Sequence, residues 1–93
     1  MRHSVRNILF HELIGLDVEV VKHSSRSLEG LKGRVVDETR NTLLVETQSG
    51  ERKRVPKLYG LFKFRLPSGR SVVVDGTQIL GRPEDRLKRV KQF

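Results

Sequence analysis

Leu61-Phe62-Lys63-Phe64-Arg65-Leu66-Pro67-Ser68-Gly69-Arg70-Ser71-Val72-Val73-Val74-Asp75 is the stretch that decides the fold. Phe62, Phe64 and Leu66 alternate with Lys63 and Arg65. That period of two belongs to a half-buried strand with its apolar face inward and its basic face outward. Pro67-Ser68-Gly69 is turn chemistry, with proline presetting φ and glycine supplying a positive φ. Ser71 to Asp75 is then the partner strand, and Asp75-Gly76 closes it.

The same period extends toward the N-terminus. Leu16, Val18 and Val20 alternate with Asp17 and Glu19, and His23-Ser24-Ser25-Arg26-Ser27 reads as a polar loop. Leu31 to Asp37 is a second strand, with Gly33 where a strand bends or carries a bulge. Glu38-Thr39-Arg40-Asn41 is a turn, and Thr42 to Thr47 is the returning strand. Gln48-Ser49-Gly50-Glu51 turns into Arg52-Lys53-Arg54-Val55, where Pro56 ends the ladder or confines it to an edge. About six short strands separated by turns predict a mainly β protein, a small, strongly bent antiparallel barrel rather than a βαβ sheet.

Each end carries a helical pattern. Val5, Ile8, Leu9 and Leu13 recur at helical spacing up to Gly15, while Phe10 and Ile14 project from another side. Phe10 and Ile14 are therefore candidates for a protein partner. Pro83 suits a first helical position, with Glu84 and Asp85 in the first turn and Arg86, Lys88, Arg89 and Lys91 beyond. The expected organisation is one domain over 1–93, with an N-terminal helical arm at 1–15 and a C-terminal basic helix at 82–93.

The chain has 93 residues, of which 35% are apolar and 32% charged, enough for one small core. It has no cysteine, which excludes disulfides, thiolate metal sites and a cysteine nucleophile. No apolar run approaches the roughly 18 residues of a membrane span, and the start lacks a secretory cleavage pattern, so a cytoplasmic location is expected. The net charge is +8, and its placement is uneven. Residues 1–46 hold seven Lys/Arg and seven Asp/Glu, whereas 47–93 hold twelve against four. A basic surface on one side of a compact fold follows, and nucleic acid is the common partner of such a surface.

No catalytic constellation emerges. His11-Glu12 opens like a zinc-protease helix, but Gly15 stands where the second histidine would be. Gly30-Leu31-Lys32-Gly33 mimics a backbone-clamping loop but runs straight into a strand. Asp37-Glu38 and Glu84-Asp85 suit a turn and a helix start, where local hydrogen bonds and the helix dipole account for them. No catalytic residue, metal site or bound cofactor is expected in this chain. The candidate RNA contacts are Arg34, Arg40, Arg52, Arg54, Lys57, Lys63, Arg65, Arg82, Arg86, Lys88 and Arg89. Glu12 and Glu19, in the neutral half, join Phe10 and Ile14 as candidate protein contacts and should lie away from RNA. Aromatics are scarce, which favours the backbone and shape of structured RNA over stacking along a single strand.

Taken in order, several blocks resemble the archaeal ribonuclease P protein component 1 family. They are His11-Glu12-Leu13-Ile14-Gly15-Leu16, Gly33 to Leu43, Val55-Pro56-Lys57, Phe62-Lys63-Phe64, Val74-Asp75-Gly76 and Arg82-Pro83-Glu84-Asp85-Arg86. The resemblance implies an Sm-like barrel and a non-catalytic subunit of the endonuclease that removes 5′ leaders from precursor tRNA. It implies that the RNA component is the catalyst, assisted by magnesium. It also implies partners: the ribonuclease P RNA, a small zinc-ribbon subunit in a heterodimer, the other proteins of the particle and, indirectly, precursor tRNA. Rival readings are an Sm-like RNA chaperone ring, an SH3-like barrel of a ribosomal protein or translation factor, and, more distantly, a protein ribonuclease.

Overall fold

A computed structural model describes residues 12–82 and 85–86. Among these residues the strands are β1 (Asp17–His23), β2 (Lys32–Glu38), β3 (Thr42–Glu46), β4 (Arg52–Pro56), β5 (Gly60–Arg65) and β6 (Ser71–Asp75). They form one antiparallel sheet in the order β4-β3-β2-β1-β5-β6. The segments match those expected from residue alternation and turn signals, with ends shifted by a residue or two. Short 3-10 turns span Arg26–Leu28 and Gly76–Ile79.

The connectivity forces the sheet to bend. β4 is at one edge, and β5 lies four strand spacings away, roughly 19 Å across a flat sheet. Only Lys57, Leu58 and Tyr59 join them, and four residue steps reach at most about 14 Å. The sheet must therefore curl until the end of β4 meets β1 and β5. Two hydrogen bonds show it has done so: His23 Nε2 to the Pro56 carbonyl at 2.9 Å, and Ser24 N–H to the Tyr59 carbonyl at 3.1 Å. Inside the curl lie Val18, Val20, Val35, Leu43, Val45, Val55, Phe62, Phe64, Leu66, Val74 and Ile79, with Leu13 closing one end.

Two bulges decide which side chains enter that interior. In β1 the register slips between Val20 and Lys22, and in β2 between Val35 and Asp37. Strict alternation would have sent Lys22 and Asp37 inward. Each extra residue inverts the parity, so His23 and Glu38 point in instead. Gly33 is not the bulge: it pairs regularly with Val18, and a Cβ there would fall 2.2 Å from the Glu46 carbonyl oxygen. That glycine lets β2 and β3 approach closely. His23 and Glu38, expected in a loop and a turn, are strand ends with buried side chains.

At the ends, only part of each expected helix is described: residues 12–15 hold a turn at Ile14 and Gly15 rather than the last turn of a helix. Leu13 is buried, Ile14 is 39% exposed, and Gly15 takes φ +97 while its N–H reaches the Val35 carbonyl. Asp85 and Arg86 are helical as expected, their N–H groups bonded to the Arg82 carbonyl. Phe10, Lys88 and Arg89 lie outside the described residues.

Candidate nucleic-acid interface

Cross-strand register builds the outer face of the sheet into rows. Arg52 faces Glu46, Glu46 faces Arg34, Arg34 faces Asp17, Asp17 faces Arg65, and Arg65 faces Ser71. One pleat away, Lys32, Glu19, Lys63 and Val73 form a second row. Charges of opposite sign therefore alternate across five strands, which is the stabilising arrangement for directly opposed residues. Arg52 Nε donates to Glu46 Oε2 at 2.8 Å, and Arg34 Nε sits 3.7 Å from Asp17 Oδ1. Lys63 and Arg65 make no ion pair among the described residues. Apart from Arg52 and Val73, the residues of these rows line an open groove of about 860 Å³, which Thr47 and Gln48 also line.

This geometry revises the expected separation of charges. Glu19 lies between Lys32 and Lys63 in the same groove as the candidate RNA contacts, because strand pairing interleaves the two halves of the chain. Glu12 and Ile14 are exposed at the N-terminal end instead.

A second group of cations surrounds the loop between β2 and β3. Arg54 donates to Thr42 Oγ1 at 3.1 Å, and Thr42 Oγ1 bonds Thr39 Oγ1 across that loop. The Arg40 carbonyl accepts the Gly81 N–H, which brings the backbone beside Arg82 to the same place. Arg40, Arg54 and Arg82 are exposed and carry no ion pair among the described residues. Groups of this kind are free to meet phosphates.

Lys57 and Arg86 correct the expectation. Their residue type and position point to RNA contacts, yet both are buried, with 0% and 1% of their surface exposed. The cause is Glu38, turned inward by the Val36 bulge. Lys57 Nζ donates to Glu38 Oε2 at 2.6 Å, and Arg86 Nη1 donates to the same oxygen. Carbonyls complete the cage: Thr39 and Gly81 accept from Lys57, and Ile79 and Gly81 accept from Arg86. No simple periodicity marks Glu38 in the sequence, where it reads as a turn residue. This triad joins the ends of β2 and β4 to Ile79, Gly81 and Arg86, and the bonds from Lys57 to the Arg40 and Gly81 carbonyls hold the backbone that carries Arg40 and adjoins Arg82.

The remaining polar side chains near the core also have structural partners. His23 Nδ1 accepts the Ser25 N–H, which leaves Nε2 as the donor to the Pro56 carbonyl. Asp75 caps the last 3-10 turn, accepting from the Thr77 N–H and hydroxyl, and these bonds hold its carboxyl below the usual aspartate range. No group of three or more His, Asp or Glu side chains converges as a metal site among the described residues. No helix among them is long and apolar enough to cross a membrane.

The fold and this surface define a small, basic, all-antiparallel sheet protein with ion-paired and unpaired cations presented outward. Residues 6–89 match the family model described as ribonuclease P/MRP, subunit p29. The chain is 56% identical over 90 residues to ribonuclease P protein component 1 of Staphylothermus marinus, covering 97% of this chain and 98% of that protein. It is 52% identical to the protein of the same name from Desulfurococcus amylolyticus, covering 99% of this chain and 100% of the other. A solved structure of a homologue of the human RNase P protein Rpp29 superposes with a TM-score of 0.61 at 49% identity, covering 82% of this chain and 97% of that one. The chain belongs to the ribonuclease P/MRP subunit p29 family.

Proposed function

We propose that this protein is the non-catalytic, RNA-binding subunit of ribonuclease P, the ribonucleoprotein that cuts the 5′ leader from precursor tRNA. The observation that carries the reading is the family match over residues 6–89, at about half identity to relatives it spans end to end. The surface supports it: Arg40, Arg54, Arg82, Lys63 and Arg65 stand outward without ion pairs among the described residues, suited to phosphates rather than base edges. The curled sheet is then the Sm-like barrel of the family. Catalysis belongs to the RNA and its magnesium, and this chain acts in the cytoplasm by organising that RNA with the other protein subunits. A zinc-ribbon subunit docks on the N-terminal end, where Ile14 is exposed beside buried Leu13 and Glu12 is exposed as well, while Glu19 faces the groove; Phe10 is a further contact proposed from the sequence alone.

Reconstitution tests it. Adding the chain to ribonuclease P RNA and the other protein subunits at limiting magnesium should raise the rate of precursor-tRNA cleavage. A rate independent of the chain would overturn the assignment.

A further inference from the structure

We infer that Tyr59 is a stacking platform for one unpaired nucleobase, a contact of a different kind from the phosphate contacts of the arginines. The inference rests on the RNA-binding reading above. The three-residue crossing from β4 to β5 is tight enough to impose φ +64 at position 59, the one non-glycine residue with positive φ among those described. That conformation favours glycine or asparagine and penalises a side chain with a bulky Cβ substituent. The crossing needs the backbone shape but has no need of a tyrosine. The ring does nothing for the fold either: the residue is 76% exposed, and its side chain makes no hydrogen bond or ring contact among the described residues. The core ring contacts are those of His23, Phe62 and Phe64. An unfavourable backbone state that carries an unused aromatic is the signature of a residue kept for a contact.

Its mounting is rigid. The Tyr59 carbonyl accepts the Ser24 N–H, and the Lys57 N–H bonds the Asn41 carbonyl while the Lys57 ammonium is held inside by Glu38. On the other side, a Cβ on Gly60 would lie 2.6 Å from the Phe62 ring, so the strand starts hard against the core. A backbone fixed in this way does not have to be ordered again when a base stacks on the ring. The surroundings select the occupant. Leu58, the preceding residue, is 37% exposed, and exposed Lys22 and Arg26 lie two residues either side of Ser24, whose N–H bonds the Tyr59 carbonyl. A two-residue apolar spot is far below the roughly 800 Å² that a protein partner covers, whereas it matches one base. A base with its phosphate satisfies both the ring and the neighbouring cations.

The test titrates the full chain into ribonuclease P RNA preassembled with the other protein subunits, over a range of salt, for wild type, Tyr59→Phe, Tyr59→Ala and Tyr59→Gly. Titration into the protein subunits without RNA is the control. Tyr59→Phe should bind like wild type, and Tyr59→Ala and Tyr59→Gly about tenfold more weakly, with the slope of log affinity against log salt unchanged. Tyr59→Gly should keep or raise the melting temperature, since glycine accepts the backbone conformation. Wild-type affinity in both truncated variants would overturn the inference alone. So would an equal weakening in the control without RNA, which would mark Tyr59 as a protein contact. Failure of wild type itself to bind would remove the RNA-binding reading and this inference together.

Discussion

Glu38 Oε2 and Lys57 Nζ, nineteen residues apart in sequence, meet at 2.6 Å with neither side chain exposed to solvent. Arg86 closes on the same carboxylate, so one negative charge holds two positive ones in the interior. Such a cluster is costly to desolvate, and it persists because every donor has an acceptor: no buried side-chain N or O among the described residues lacks a partner.

Removing Glu38 should therefore be severe. Glu38→Ala leaves two buried cations facing each other and should cost about 3–5 kcal/mol of folding stability, read from urea unfolding. Combining Glu38→Leu with Lys57→Met and Arg86→Met should recover most of that stability, because no charge is then stranded. A triple variant as unstable as Glu38→Ala would mean that the cluster contributes net stability.

Gly76 has the least room for a Cβ of the glycines among the described residues. A Cβ there would lie 1.5 Å from the Lys57 carbonyl oxygen, backbone that cannot swing aside. Gly76→Ala should destabilise by about 3 kcal/mol or more, which thermal melting would measure. Gly50, with open space around its Cβ position but φ +89, should be destabilised less by the same change.

Salt dependence sorts the cations. Charge reversal at Arg40, Arg54 or Arg82 should weaken RNA binding and flatten the salt slope by up to ~0.9 for each phosphate no longer neutralised. Arg34 and Arg52, already paired with Asp17 and Glu46, should change it less. Lys57→Gln should lower stability while leaving the slope of the folded protein unchanged. Filter binding from low to moderate salt would read all of these.

The neutral half is not silent. Because Glu19 lies between Lys32 and Lys63, Glu19→Gln should raise RNA affinity by roughly two- to threefold at low salt, with the gain fading as salt screens it. An unchanged affinity would place the RNA away from the groove and leave the Arg40, Arg54 and Arg82 group as its contact surface.

Asp75 gives a pH signature. Hydrogen bonds from Thr77 hold its carboxyl below the ordinary aspartate value, so the charged form is favoured in the folded state. Its contribution is present above the unfolded value and is lost as pH falls through the lower folded one. The stability difference between wild type and Asp75→Asn should thus be seen near neutrality and disappear in acid below the aspartate range. A difference that grows on acidification would contradict the cap.

Period-two alternation together with local turn chemistry determined the six strands, and alternation alone set the inward Phe62, Phe64 and Leu66 and the outward Lys63 and Arg65, since a strand's side chains alternate whatever surrounds it. Pro56 and Gly69 likewise act locally, one ending β4 and the other taking φ +91 in its turn. The family blocks were equally legible, because they rest on residue type and order. Tertiary structure alone decided the fate of Lys57, Arg86 and Glu38. In sequence they are ordinary surface charges; a one-residue bulge at Val36 reverses the parity of β2, and the curl of the sheet brings the three together. Pairing likewise interleaved Glu19 with Lys32 and Lys63, because charge counted along the chain carries no information about which strands become neighbours. Local pattern sets which way a side chain points relative to its own strand, while packing sets what it meets there.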